Sequence, residues 1–215
     1  MSPSNKLAGT GRKRPTTEEN PVKQAIAAAG LELFAHNGFA QTSVREIVGM
    51  ADTTLPMIYY YFGSKQGLYT YILQESAHHL MQSMAPGLTE QSLSAKERLE
   101  AGIASFLRFC QSNRAEVQLI FSAWFGGELP PDGPSLVDVY MKMVNQIVTL
   151  LQAGIDSGEF RSMDIWEASQ AIVGIMTNFV ARMLVGDETF DPVVYSKNTV
   201  ELLVKGLQDT KIPRR

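Results

Sequence analysis

Cysteine is nearly absent from this sequence: Cys110 stands alone, which excludes a disulfide framework and a thiolate metal cluster. Histidine is scarce too, at His36, His78 and His79. Neighbouring positions on a helix point about 100° apart, so His78 and His79 do not form a two-ligand face, and no metal site is expected. There is no Gly-rich phosphate loop, no nucleophile elbow and no paired-carboxylate motif, so no catalytic residues, no cofactor and no enzymatic activity are expected. Long apolar runs are missing as well. Nothing approaches the roughly 18 residues that span a bilayer, and the N-terminus carries charge where a secretory signal would be apolar. A cytoplasmic protein with no membrane partner is the expectation.

Alternating strand patterns are also lacking, and what is present reads as helix throughout. With 215 residues, 45% of them hydrophobic and 19% charged, the chain can bury a core as one unit or two small ones. Its net charge of -3 argues against coating nucleic acid by bulk charge, yet the distribution is uneven. Residues 1–70 hold seven Lys or Arg against five Asp or Glu, whereas residues 71–215 hold twelve against seventeen. The basic excess is sharpest at Gly11-Arg12-Lys13-Arg14. Residues 1–20, rich in Ser, Thr, Pro, Gly and charge without periodicity, are expected to form a flexible basic arm.

From Pro21 a helical period begins, with Val22, Ile26, Ala29 and Leu33 on one face and a stop at Asn37-Gly38. Thr42 or Ser43 can cap a second, two-turn helix that turns Val44, Ile47, Val48 and Ala51 inward. Asp52 falls at the turn, where a left-handed residue is commonly needed and Asp tolerates it. Thr54 then reads as the N-cap of a third helix, with Pro56 tolerated in its first turn and Ile58 and Phe62 facing inward. Ser64 caps a fourth, expected to run from Lys65 to about Met84 and to end at Pro86-Gly87. Capping-box patterns follow at Ser94–Glu97, Asn113–Glu116 and Asp164–Glu167.

Two short helices joined by a tight turn and braced by a third is the layout that presents one helix to the DNA major groove. The run Tyr59-Tyr60-Tyr61 fits it. With Ile58 inward, the three rings fan over about 200° and cannot all be core. An exposed phenol can donate to a phosphate, and its ring can pack on sugar or a thymine methyl. Half-buried packing residues are the alternative reading.

The stretch Gly30 to Tyr69 resembles the DNA-binding domain of the TetR family of bacterial transcriptional regulators. Leu33-Phe34-Ala35, Gly38-Phe39, Thr42-Ser43, Ile58-Tyr59-Tyr60, Phe62 and Ser64-Lys65 occur in the family's order and spacing. Asp52-Thr53-Thr54 departs from the usual Gly-Val-Ser turn, Tyr61 from a frequent His, and Gly67 from a common acidic residue; these departures are expected to weaken local stability. The resemblance implies an all-α protein with a helix-turn-helix domain over residues 21–66 and a helical ligand-binding and dimerisation domain over 67–215. It implies phosphate contacts from Thr42, Ser43, Tyr59, Tyr61 and Lys65, and base-facing positions at Arg45, Leu55, Pro56, Met57 and Tyr60, with Thr54 in the same DNA-binding set.

The remaining helices are rich in aromatic and sulfur side chains. Phe106, Phe109, Cys110, Phe121, Trp124, Tyr140, Met143 and Met176 are candidates to line an apolar ligand pocket, with ordinary core as the alternative. Of the last two helices, the first is apolar beyond one stripe and calls for cover on more than one side. Ile172, Met176, Phe179, Val180, Met183, Val200 and Leu203 are therefore the candidate seam of a homodimer, a fully buried helix within one chain being the alternative. The expected function is a ligand-responsive, sequence-specific regulator, a repressor released from double-stranded operator DNA by a small apolar or amphipathic effector. An all-helical sensor or carrier without specific DNA binding is the competing reading.

Overall fold

The computed structural model describes residues 20–126, 135–186 and 191–207. Residues 1–19 of the proposed basic arm, Arg12 to Arg14 included, lie outside the described residues, and Asn20 caps the first helix. Among those described, the regular structure is nine α-helices: α1 (Pro21–Asn37), α2 (Val44–Met50), α3 (Leu55–Phe62), α4 (Lys65–Thr89), α5 (Ala95–Ser112), α6 (Arg114–Gly126), α7 (Leu136–Asp156), α8 (Ile165–Leu184) and α9 (Pro192–Leu207).

Local chemistry sets these limits. The Asn20 side chain accepts from the Val22 amide at 2.9 Å to open α1, and Gly38, at φ 81°, returns its N–H to the Phe34 carbonyl to close it. Ser43 and Glu46 form a reciprocal capping box on α2, as Ser94 and Glu97 do on α5. Asn113 instead turns back, its carboxamide nitrogen donating to the Phe109 carbonyl at the end of α5. Asp52 adopts the expected left-handed turn, at φ 47°.

The fourth helix does not end at Pro86-Gly87 but runs through both to Thr89. A proline inside a helix loses a hydrogen bond and crowds the preceding turn, at a cost of about 3 kcal/mol. Packing compensates here. A Cβ on Gly87 would sit 2.4 Å from the Ala101 carbonyl carbon and the Gly102 nitrogen, so α4 and α5 cross almost backbone to backbone. Leu88 fills the space over Gly102, and Arg98 donates through Nε to the Leu88 carbonyl at 2.8 Å.

In the front of the molecule, α1, α2 and α3 close around Ile26, Phe34, Ile47 and Ile58, and α4 supplies Leu68, Tyr69 and Ile72 to the same core. The Tyr69 ring meets Phe34 edge-on at 5.1 Å and Phe39 at 4.9 Å. Behind, α4 to α9 enclose a second apolar region continuous with the first. Glu159 locks its rim, its two carboxylate oxygens accepting from the Ala95 and Lys96 amides at 2.7 and 2.8 Å where α5 begins. Helix α6 packs on both α1 and α4, so the front and rear are joined by more than the long helix alone.

Candidate nucleic-acid interface and ligand pocket

On the front surface α2 and α3 present Arg45, Met50, Leu55, Pro56, Tyr59 and Tyr60 to solvent. Tyr60 is 77% exposed, Tyr59 51% and Leu55 40%, while Ile58 between them is fully buried. Tyr61 and Met57 are half-buried, and Tyr61 stands edge-on to Tyr60 with ring centres 4.9 Å apart. Thr54 holds the extended N-cap backbone, but its side chain makes no capping bond, which leaves the exposed hydroxyl for another partner.

Thr42 is the exception among the residues assigned to phosphate. It is buried, and its hydroxyl faces the Leu33 carbonyl at 3.1 Å and the Gly38 carbonyl at 2.8 Å. The residue pins the α1–α2 connection and does not reach the surface. Ser43 is exposed, and its hydroxyl oxygen accepts from the Glu46 amide at 3.2 Å. The Ser43 hydroxyl and amide, with Lys65 adding a weaker pull, hold the Glu46 carboxyl below the usual carboxylate range. Lys65 is half-buried with its ammonium 4.3 Å above the Phe39 ring. Lys23 lies in the same way over Tyr71, at 4.2 Å.

Gly67 is not a missing cap. A Cβ there would fall 2.0 Å from the Phe62 carbonyl oxygen, so the α3–α4 turn leaves no room for the acidic side chain the resemblance suggested; Ser64 caps the Gly67 amide at 2.9 Å instead.

In the rear, a cavity of about 120 Å³ is lined by Leu80 of α4, Phe106 of α5, Ile120, Phe121, Trp124 and Phe125 of α6, Leu136, Val139, Tyr140 and Met143 of α7, and Val173 and Thr177 of α8. Five of the eight sequence candidates meet there: Phe106, Phe121, Trp124, Tyr140 and Met143. Phe109, Cys110 and Met176 do not line it. Cys110 is fully buried, and burial drives its thiol far above the ordinary range, which makes it inert packing. The aliphatic lining and Thr177 gave no signal in the sequence, because a cavity-facing Leu or Val has the same helical spacing as a core one. Among the described residues the lining holds no ionisable acid or base apart from the Tyr140 phenol. At the mouth Phe125 is 69% exposed and Trp124 37%.

The residues proposed for a dimer seam sit elsewhere than expected. Ile172, Met176, Phe179, Val180, Met183 and Val200 are all buried within the single chain, Leu203 is half-buried, and Phe179 packs on Tyr195 with ring centres 4.9 Å apart. The wide apolar arc of α8 is thus covered by the chain's own helices. What α8 turns outward is a flat row, Ala171, Gly174, Asn178 and Ala181, ending at Val185, which is 85% exposed; on α9, Val194 and Leu202 are 54% and 72% exposed.

Among the described residues no cluster of His, Cys, Asp or Glu could hold a metal ion, and no helix is long and apolar enough to cross a membrane.

Residues 26–72 match the sequence profile of bacterial regulatory proteins, tetR family, and residues 133–206 that of the YsiA-like protein, C-terminal region. The fatty acid metabolism regulator protein of Bacillus subtilis (strain 168) is 27% identical over 195 residues, spanning 89% of this chain and 98% of that protein. The HTH-type transcriptional repressor BepR of Brucella suis biovar 1 is 21% identical over 204 residues, 91% of this chain and 96% of its own. Among solved structures, FadR from Bacillus subtilis in complex with stearoyl-CoA superposes with a TM-score of 0.68 at 25% identity, covering 86% of this chain and 99% of that one. The TetR family regulator PfmR from Thermus thermophilus shares the fold, with a TM-score of 0.73 at 19% identity over 85% of this chain and 98% of its own.

Proposed function

Since the chain belongs to the TetR family of bacterial regulatory proteins, we propose that it is a transcriptional repressor that grips operator DNA through α2 and α3 and releases it when an acyl chain enters the rear cavity. As a DNA-binding regulator it works in the cytoplasm. The apolar cavity carries the reading of the effector. Its wall, among the described residues, is hydrocarbon and aromatic, with the Tyr140 and Thr177 hydroxyls as side-chain polar groups, which suits an alkyl tail whose charged head stays outside beside Trp124 and Phe125. The similarity to a fatty acid metabolism regulator and to a stearoyl-CoA complex supports the same class.

At about 120 Å³ the cavity is small beside the roughly 300–1,000 Å³ of ordinary ligand sites. A long tail must therefore push its walls apart. An effector shifts DNA affinity only by its own difference in affinity for two arrangements, and an expanded cavity is such a difference. Helix α6 forms one wall and packs on α1 and α4, so its displacement reaches the DNA reader directly.

A two-fold dimer is part of the proposal, with the flat row of α8 and the exposed Val194 and Leu202 of α9 meeting their copies. Small residues let two such helices approach closely.

The test uses Trp124 as reporter. With Trp166→Phe leaving Trp124 as the single tryptophan, acyl-CoA esters of increasing chain length are titrated while its fluorescence and operator binding are followed. Saturable quenching together with release of DNA is expected for the longer chains. DNA binding that no acyl ester or fatty acid alters removes the effector assignment.

A further inference from the structure

We propose that α3 reads thymine by its methyl group, so that each operator half-site carries thymines beneath Leu55, Pro56 and Tyr60, while the charged base contact comes from Arg45 on α2. The inference rests on α2 and α3 being the operator contact.

The N-terminal residues of a recognition helix are the ones that meet base edges. Here they are Thr54, Leu55 and Pro56, all exposed, with Tyr60 one turn on and Met50 also exposed at the end of α2. Reading guanine in the major groove calls for Arg or Lys, adenine for Asn or Gln, and cytosine for an acidic acceptor. The α3 sequence LPMIYYYF contains none of these. Apolar side chains laid over polar base edges would strip their water and return no hydrogen bond. The thymine C5-methyl is the apolar feature of that groove, and it is what Leu55 and Pro56 can cover with gain.

Neighbouring charges do not fill the gap. Glu46 is tied into the α2 cap, accepting from the Ser43 amide at 2.7 Å, so it is not presented to a cytosine amine. Lys65 and Lys23 lie on the Phe39 and Tyr71 rings. Arg45 is exposed on α2 and has no ion-pair partner among the described residues. Tyr60 joins the apolar set through its ring, and its hydroxyl can still donate to a phosphate.

The experiment selects an operator from a randomised pool with the full chain, then replaces each thymine in turn by deoxyuridine, which removes the methyl and leaves every hydrogen-bonding atom. Two or three adjacent thymines per half-site should be sensitive, each methyl weakening binding about fourfold, the weight of one buried methylene-sized group, and about fifteenfold when both half-sites are changed. In Leu55→Ala the uracil penalty should vanish at one of those thymines, and Leu55→Asn should move the preference there toward adenine. An enriched operator that tolerates uracil everywhere, or whose uracil penalties persist unchanged in Leu55→Ala and Pro56→Ala, overturns methyl readout and leaves the repressor reading standing. A pool that yields no enriched sequence overturns both.

Discussion

The Nδ1 atom of His79 on α4 lies 3.0 Å from a carboxylate oxygen of Glu116 on α6, joining the helix that follows the DNA reader to the helix that walls the cavity. A carboxylate can only accept, so the facing ring nitrogen carries the hydrogen. One turn beyond Glu116 on the same helix, Ile120 and Phe121 face the cavity. The His79 side chain is half exposed while that of Glu116 is 15% exposed, and a pair open to solvent on one side contributes about 0.2–1 kcal/mol to stability. Its expected role is transmission. In His79→Ala and in Glu116→Ala the melting temperature should hardly move, while the factor by which acyl effector lowers operator affinity should shrink, since that factor is the coupling free energy between the sites. Operator titrations with and without effector decide it; an unchanged ratio in both variants means that α6 acts through other contacts.

Thr42 and Lys65 should part company when DNA affinity is measured against salt. Thr42→Val deprives the Leu33 and Gly38 carbonyls of their donor and should cost about 1 kcal/mol of stability without altering the salt slope. Lys65→Ala should keep the fold and flatten the slope by about one unit per half-site, with all sequences weakened alike. A normal slope for Lys65→Ala would show that its ammonium stays on Phe39 in the complex.

Gly174 and Phe179 give opposite outcomes for assembly. Nothing lies within 4 Å of a Cβ built on Gly174, so Gly174→Arg should fold normally and sediment as a monomer if α8 faces its copy. Phe179→Glu puts a charge into the chain's own core and should unfold it, at a cost of several kcal/mol. A folded dimer of Gly174→Arg would place the dimer contact on another surface.

Gly87→Ala tests the α4–α5 crossing. The added carbon meets backbone, which cannot rotate away as a flexible side chain can, so the helices must separate. Overpacking of this kind costs about 1–3 kcal/mol, equivalent to several degrees in melting temperature for a chain of this size. An unchanged melting curve would show that the crossing opens freely.

The front of the molecule is legible in the sequence because its signals are local. The period that begins at Pro21, the stop at Asn37-Gly38, and Ser43, Asp52 and Ser64 each act within a few residues, so spacing alone locates α1 to α3 and the start of α4; the Asn20 cap emerges only in the structure. Long-range geometry is not legible. Pro86-Gly87 carries the signature of a helix stop, and only the approach of Ala101 and Gly102 from another helix explains why α4 continues. Thr42 has the look of a phosphate ligand because its two acceptors, Gly38 four residues back just beyond α1 and Leu33 nine residues back within it, are not evident from spacing. The breadth of the apolar arc on α8 is real, but periodicity cannot say whose side chains cover it. For the same reason Phe106 and Phe109, three apart on α5, cannot be told apart by spacing as cavity wall and packing.

The contact of Tyr69 with Phe34 and Phe39 bears on how such regulators can be recombined. Tyr69 belongs to α4, yet its ring is buried among side chains that hold the DNA reader together. A hybrid spliced at residue 66 would give the transplanted reader a foreign α4 and leave Phe34 and Phe39 without their neighbour. A splice beyond Leu73 carries the whole aromatic group across, along with Leu68 and Ile72. The heritable module of DNA specificity therefore extends two turns into the long helix, and sensor exchange between regulators of this kind should respect that seam.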